Sequence, residues 1–371
     1  VDIVLQRFMD SSFFLILHRL PFFSVLYCVF LARSMVLQKS TVLFFFRHAV
    51  IITSKGGIYN MHYTGTIWRP PYEASSLLLE VTAGCTHHKC KFCTLYADLP
   101  FQFRMSPLND IESDLLEVQT LRYNPASQMT ARLRGLPCPQ PIERVFLTGA
   151  NPFVLKTDRL LTIAQLIHTY IPSVTSIGCF ARITDSVNKT DEELQKLRQV
   201  GYNRLTIGVE TGDDAALAFM NKGYQSKDIL TQCQRLECAG IEYAFFYLTG
   251  ISGKGNGVSG AKATAQIINQ LHPFLVGPNM LTIYPDSELY QEIQKNRWTA
   301  ESETEKYEEI KTLIQELTIP VAFAAMGASN AFQLYGHLPQ DKEKLLSVVD
   351  QILSEVGEEK LRQYREHLPH L

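Results

Sequence analysis

The sequence predicts an α/β fold, a partial, TIM-like (β/α)6 barrel with a C-terminal helical extension, on three observations. From about Leu77 onward, short apolar runs alternate with longer helical patterns, the signature of successive βα units around a parallel sheet. Six strand-like runs can be counted before the pattern turns helical. The chain, 371 residues at 46% hydrophobic, is long enough to bury a core of that size.

The strands are predicted near Leu77 to Thr82, Arg144 to Thr148, Ser173 to Ala181, Arg204 to Glu210, Glu242 to Thr249 and Leu275 to Ile283. Helical periodicity fills the intervals at Pro107 to Thr120, Asp158 to Tyr170, Asp191 to Val200, Ser226 to Ala239, Ser259 to Leu271 and Asp286 to Lys295. Ser106, Asp158, Thr190 and Ser226 carry the short acceptor side chains that suit helix N-caps.

Three further segments complete the organisation, with residues 61–300 as the barrel domain. Residues 1–60 are rich in Phe, Leu and Val and carry only Asp2 and Asp10 as acids. Their apolar runs are broken by His18, Arg19, Pro21, Arg33, Lys39 and Arg47, so none reaches the ~20 residues a membrane span needs. No secretory-signal pattern is present either. The segment reads as a non-native or disordered extension ahead of a start at Met61. Residues 123–142, with three prolines between 125 and 139 and no helical period, read as an inserted surface loop. Residues 301–371 read as a helical cap, charged from Gln340 to His367.

Composition narrows the function classes. The 35 basic and 37 acidic residues nearly cancel, so no global field draws the chain to nucleic acid or to acidic lipid; a nucleic-acid substrate would need a local basic patch, none is clear, and no membrane partner is expected. Eight cysteines are too few and too unevenly spread for a disulfide framework, which favours a reducing, cytoplasmic setting.

Three of those cysteines lie within Gly84-Cys85-Thr86-His87-His88-Lys89-Cys90-Lys91-Phe92-Cys93, directly after the first predicted strand. In a parallel barrel the loops after the strands gather the reacting groups. Three thiolates on one short loop make a soft donor set for an iron-sulfur cluster or for zinc. Zinc requires a fourth ligand, for which His87 or His88 is available, and that reading is a zinc-stabilised binding module. Cys233 and Cys238 fall on different faces of a predicted helix and Cys138 in the proline-rich loop, so one centre is the economical count.

The cysteine loop resembles that of the radical S-adenosylmethionine superfamily, with four residues between its first two cysteines where three are usual. The resemblance spans roughly Leu77 to Pro285, and its core is similar to coproporphyrinogen-oxidase-like and elongator-type members. It implies a [4Fe-4S] cluster on Cys85, Cys90 and Cys93, one iron left open for S-adenosylmethionine, and Phe92 as an adenine contact. Gly149-Ala150-Asn151-Pro152 is similar to the family's glycine-rich turn at the methionyl amine, and Tyr247-Leu248-Thr249-Gly250 to its glycine motif at adenine, which assigns Gly250 to the cofactor. The fourth strand, Arg204 to Asp214, resembles a family strand. Alternation there puts Glu210, Gly208, Thr206 and Arg204 on one face, so Glu210 and Arg204 are assigned to the barrel interior as cofactor contacts. Arg182, on the inner face of the third strand, offers a guanidinium to the methionyl carboxylate. Ribose must find other groups, because Phe245 and Phe246 stand where some relatives carry an acid. His87, His88, Tyr96 and Arg104 flank the loop as candidates for substrate contact.

The function implied is an enzyme that reductively cleaves S-adenosylmethionine to a 5′-deoxyadenosyl radical and abstracts hydrogen from a substrate. Its partners are that substrate, which these residues do not name, and a reductant such as flavodoxin or ferredoxin.

Overall fold

The computed structural model describes residues 49–52, 58–135 and 140–368. Residues 1–48 and Cys138 lie outside them, and with them most of the expectation for residues 1–60. The end of that segment departs from the expected disorder: Ala49–Ile52 pairs antiparallel with Ile58–Met61, Ala49 opposite Met61.

The six expected strands form: β1 (Leu77–Glu80), β2 (Arg144–Thr148), β3 (Ser176–Ala181), β4 (Leu205–Glu210), β5 (Tyr243–Thr249) and β6 (Leu275–Met280). They lie parallel and in sequence order in one sheet. Val145 and Leu147 of β2, Leu205, Ile207 and Val209 of β4, and Phe245 and Tyr247 of β5 are buried in the main core under the helices. The alternate residues face the concave side, where Phe146 meets Phe180 edge-on at 5.1 Å.

The helices are α1 (Leu108–Tyr123), α2 (Pro125–Leu133), α3 (Thr157–Tyr170), α4 (Asp191–Gln199), α5 (Asp214–Phe219), α6 (Ser226–Cys238), α7 (Gly257–Ile268), α8 (Glu288–Gln294), α9 (Glu303–Glu316), α10 (Lys342–Glu355) and α11 (Gly357–Glu366). Of the four expected caps, Thr190 alone caps, in a reciprocal box with Glu193. The others are displaced by one or two residues. Pro107, Lys156 and Gln225 hold the cap positions, while the Ser226 hydroxyl turns to Asp214 and that of Ser106 to Glu80.

Two expectations require correction. The 123–142 segment is not all loop, because Asn124 accepts from Ala126 N at 2.9 Å and caps α2, with Pro125 in the first turn. Proline there starts a helix rather than breaking one. The C-terminal extension is helical but also adds two strands, β7 (Val321–Ala325) parallel to β6 and β8 (Leu334–Leu338) antiparallel to β7, extending the sheet to eight.

A turn before β1 closes the concave side at the N-terminal ends of the strands. There Glu73, 1% exposed, pairs with the Arg144 guanidinium at 2.6 Å. The Tyr72 hydroxyl meets Thr206, and its ring lies edge-on to Phe246 and Phe274. The other ends of the strands stay open to loops, and the cysteines sit among these.

Candidate active site at the strand ends

The strand Thr82–Gly84 continues from β1 and pairs antiparallel with Phe103–Met105, so the cysteine loop is an excursion closed by a hairpin. Gly84 adopts φ +79°, and a Cβ there would stand 2.2 Å from the Gln102 carbonyl oxygen that accepts from Cys85 N. Only glycine fits so close an approach. Lys91 N donates to the Met220 carbonyl and Leu289 N to that of Lys91, which ties the loop to the segment after α5 and to α8.

Burial pushes the Cys90 thiol up, and Cys93 up to about 12, with charge on the neighbouring loop sulfurs adding to the rise. Cys93 reaches the loop surface, yet its sulfur is packed closely enough for desolvation to dominate. Such thiols become thiolates when a metal takes the proton's place. The other described cysteines are elsewhere: Cys179 and Cys233 in the core, Cys238 exposed on α6. The donor set is therefore three loop sulfurs, which fits a cluster with one iron not held by protein sulfur. Among the described residues, no three His, Cys, Asp or Glu side chains are arranged to hold a single metal ion. The His87 Nε2 lies 2.6 Å from the Asn221 carbonyl oxygen, and burial pushes that imidazole's pKa down.

The turn after β2 packs against the strand leading into this loop. Gly149, at φ +127°, would place a Cβ 1.9 Å from Thr82 Oγ1. Asn151, fully buried, donates to Thr86 Oγ1 at 2.9 Å and to Asp185 Oδ1 at 3.0 Å, joining the cysteine loop to the turn after β3. Its side chain is thus a strut. Ala150 is half-buried beside it, and Pro152 opens a buried 3-10 turn. Asp185 also accepts from Arg182 N at 2.8 Å, and burial pushes its carboxyl up to about 6.

Arg182 donates from Nη2 to the Lys222 carbonyl, while its buried Nε has no partner among the described residues. Such an orphaned donor beside the cysteines suits an anionic ligand. Glu210 ends β4 at φ +72° and holds the Lys222 ammonium at 3.0 Å, its carboxylate folded back over Gly208. Burial works to strip the Lys222 proton, but the charges of Glu210, Tyr224 and Cys90 outweigh it and raise its pKa. The ammonium also lies 5.7 Å from the Phe92 ring centroid. Phe92 packs with Met220, Ile251, Leu281 and Leu289, which brings the cysteine loop to Gly250 and the end of β6.

Arg204 does not join this group. It precedes β4, at the opposite end from Glu210, with its guanidinium 4.2 Å from the Phe274 ring centroid and its carbonyl accepting from Arg144. The two are about 20 Å apart along the strand by its rise per residue. Sequence reasoning also missed Lys222 and Asp185, whose roles come from contacts made on folding and carry no local signal.

A comparison with known protein families matches residues 79–255 to the Radical SAM superfamily. That span, a little under half of the chain, is similar to the radical SAM superfamily. A radical SAM match implies a [4Fe-4S] cluster and S-adenosylmethionine as the cofactors. The chain is 26% identical over 101 residues to the heme chaperone HemW of Bacillus subtilis, 27% of each chain. Among solved structures it is similar to the coproporphyrinogen III oxidase HemN of Escherichia coli, described as a radical SAM enzyme (TM-score 0.45, 16% identity, 65% of this chain and 50% of that one). It is also similar to the radical S-adenosylmethionine methyltransferase TsrM of Kitasatospora setae, with cobalamin and a [4Fe-4S] cluster bound (0.44, 16%, 60% and 39%). The chain thus covers half or less of the length of these relatives. No helix among the described residues is long and apolar enough to cross a membrane.

Proposed function

We propose that this chain is a radical S-adenosylmethionine enzyme acting on a substrate still to be identified, with Cys85, Cys90 and Cys93 as the cluster ligands. The carrying observation is the three-sulfur loop at the open strand ends, with no fourth cysteine beside it among the described residues. Bound together, the cluster and S-adenosylmethionine supply a one-electron cleavage of the carbon-sulfur bond, giving methionine and a 5′-deoxyadenosyl radical that takes hydrogen from the substrate.

The chain's own residues hold and orient. Gly149 lets the backbone after β2 come close to the loop, and Asn151 fixes that loop against Asp185. Arg182, through its unpartnered Nε, is assigned to the methionyl carboxylate. Phe92 and the Gly250 turn supply the apolar side for adenine, and Lys222 with Glu210 sets the charge between them. The single electron comes from a reductant such as flavodoxin or ferredoxin, in a reducing, cytoplasmic compartment.

Anaerobic incubation of cluster-loaded protein with dithionite and S-adenosylmethionine tests this, and 5′-deoxyadenosine is the expected product. No product from an intact, reduced cluster overturns the enzyme. Replacing Cys90 or Cys93 by Ala is expected to abolish iron and sulfide loading, and unchanged loading rejects the ligand assignment.

A further inference from the structure

Glu309 lies on α9, in the C-terminal extension, and is fully buried. Its Oε2 accepts a hydrogen bond from Gly250 N at 2.7 Å, and its Oε1 accepts one from the Tyr247 hydroxyl. Removing a carboxylate from water is costly unless a cation or several donors compensate it. The nearby cations are committed elsewhere, since Lys306 pairs with Glu303 at 2.6 Å and Arg365 with the same carboxylate at 3.2 Å.

The remaining neighbour is Glu301, 5% exposed, whose two carboxyl oxygens meet no N–H or O–H donor. Burial pushes both carboxyls up, and each acts on the other's proton. Two carboxyls this buried favour a proton on one of them, which removes one of two buried charges. Glu309 thus stays an acceptor for Gly250 without a cation.

The group it holds is a turn whose own backbone hydrogen bonds are long, Ile251 N to the Leu248 carbonyl and Gly253 N to that of Gly250, both 3.3 Å. Gly250 adopts φ +90° just past β5 and has no side chain, and the Lys306 side chain lies 3.2 Å from where a Cβ would be. Its neighbour Ile251 packs in the cluster that contains Phe92.

We propose that Glu309 is a positioning residue that fixes the Gly250 turn from behind, so that the C-terminal extension sets the conformation this turn offers to the cofactor. The proposal rests on the reading that Gly250 lines the S-adenosylmethionine site. Two mild substitutions separate reach from charge. Glu309→Gln keeps an oxygen for Gly250 N and sets an amide N–H where Oε1 met the Tyr247 hydroxyl, whose oxygen can accept it, whereas Glu309→Asp keeps the acid but withdraws it by one methylene.

Hydrogen exchange of the 247–253 segment, iron content and S-adenosylmethionine affinity by equilibrium dialysis are measured on cluster-loaded full chain. In Glu309→Asp, exchange at Gly250 is expected to rise tenfold or more and affinity to fall about tenfold, with iron content unchanged. Glu309→Gln is expected to match the wild type in all three. Equal exchange in all three proteins overturns the proposal, as does deprotection in Glu309→Gln. Wild-type protein that never binds S-adenosylmethionine defeats the functional reading instead, while the exchange comparison still decides whether Glu309 holds the turn.

Discussion

The Lys222 ammonium lies 3.0 Å from the Glu210 carboxylate, with 4% and 17% of the two side chains exposed. A pair this buried owes little to surface attraction and much to mutual compensation, because either partner alone would be a charge stripped of water. Lys222→Met is therefore expected to destabilise the protein by roughly 3 kcal/mol. Adding Glu210→Gln should recover much of the loss. Urea unfolding of the two single variants and the double variant checks this, and simple additivity would show that the two residues are not coupled.

The Asn151 strut makes a prediction about the loop it holds. Asn151→Ala removes the donor to Thr86 Oγ1 and to Asp185 Oδ1, at a cost of about 1–3 kcal/mol. Exchange across residues 85–93 should rise, and a chelator should strip iron faster than from the wild type. Asn151→Asp should be worse, since it sets a second carboxylate against Asp185. Unchanged iron release in both variants would remove the strut.

Gly149→Ala is expected to fail for a steric reason. The added Cβ would meet Thr82 Oγ1 at 1.9 Å and the Thr82 carbonyl oxygen at 2.6 Å, at a φ of +127°. Clash and strain together should cost roughly 3 kcal/mol. Gly135, which has open space around its missing Cβ, is a matched control at φ +66°. Thermal unfolding should separate Gly149→Ala from Gly135→Ala by several degrees.

Asp185 predicts a pH dependence. Burial raises its carboxyl from the ordinary 3.8 to about 6 in the folded protein. Below pH 3.8 both states hold the proton and the group contributes nothing. Between the two values the unfolded chain has released a proton that the folded one keeps, so stability falls as pH rises through this window, by about 3 kcal/mol in all. Above pH 6 the loss is constant. Asp185→Asn should lack this component. Denaturant unfolding of cluster-free wild type and variant from pH 4 to 7 measures it, and parallel curves would refute the shift.

Much of the fold was legible because parallel strands covered on both sides are nearly continuous apolar runs, as in Ile207 to Val209 and Phe245 to Leu248. β7 and β8 escaped notice because Val-Ala-Phe-Ala-Ala and Leu-Tyr-Gly-His-Leu are five-residue pieces whose every second residue is small or exposed. α2 was hidden by prolines that break a helix in its middle but not at its first turn. The cysteine loop was readable because its donors are adjacent in sequence. Arg204 shows the limit of strand parity, which gives the face of the sheet and not the height along it. Lys222, Asp185 and Glu309 act on groups 12 to 62 positions away, so no window of the sequence contains the partnership.

The Glu73–Arg144 pair bears on where this protein can be cut. The span that matches the family begins at residue 79, after Glu73, and ends at residue 255, before Glu309. A fragment trimmed to that span would leave the Arg144 guanidinium without its counterion and the Gly250 amide without its acceptor. The unit that folds is wider at both ends than the unit that resemblance outlines.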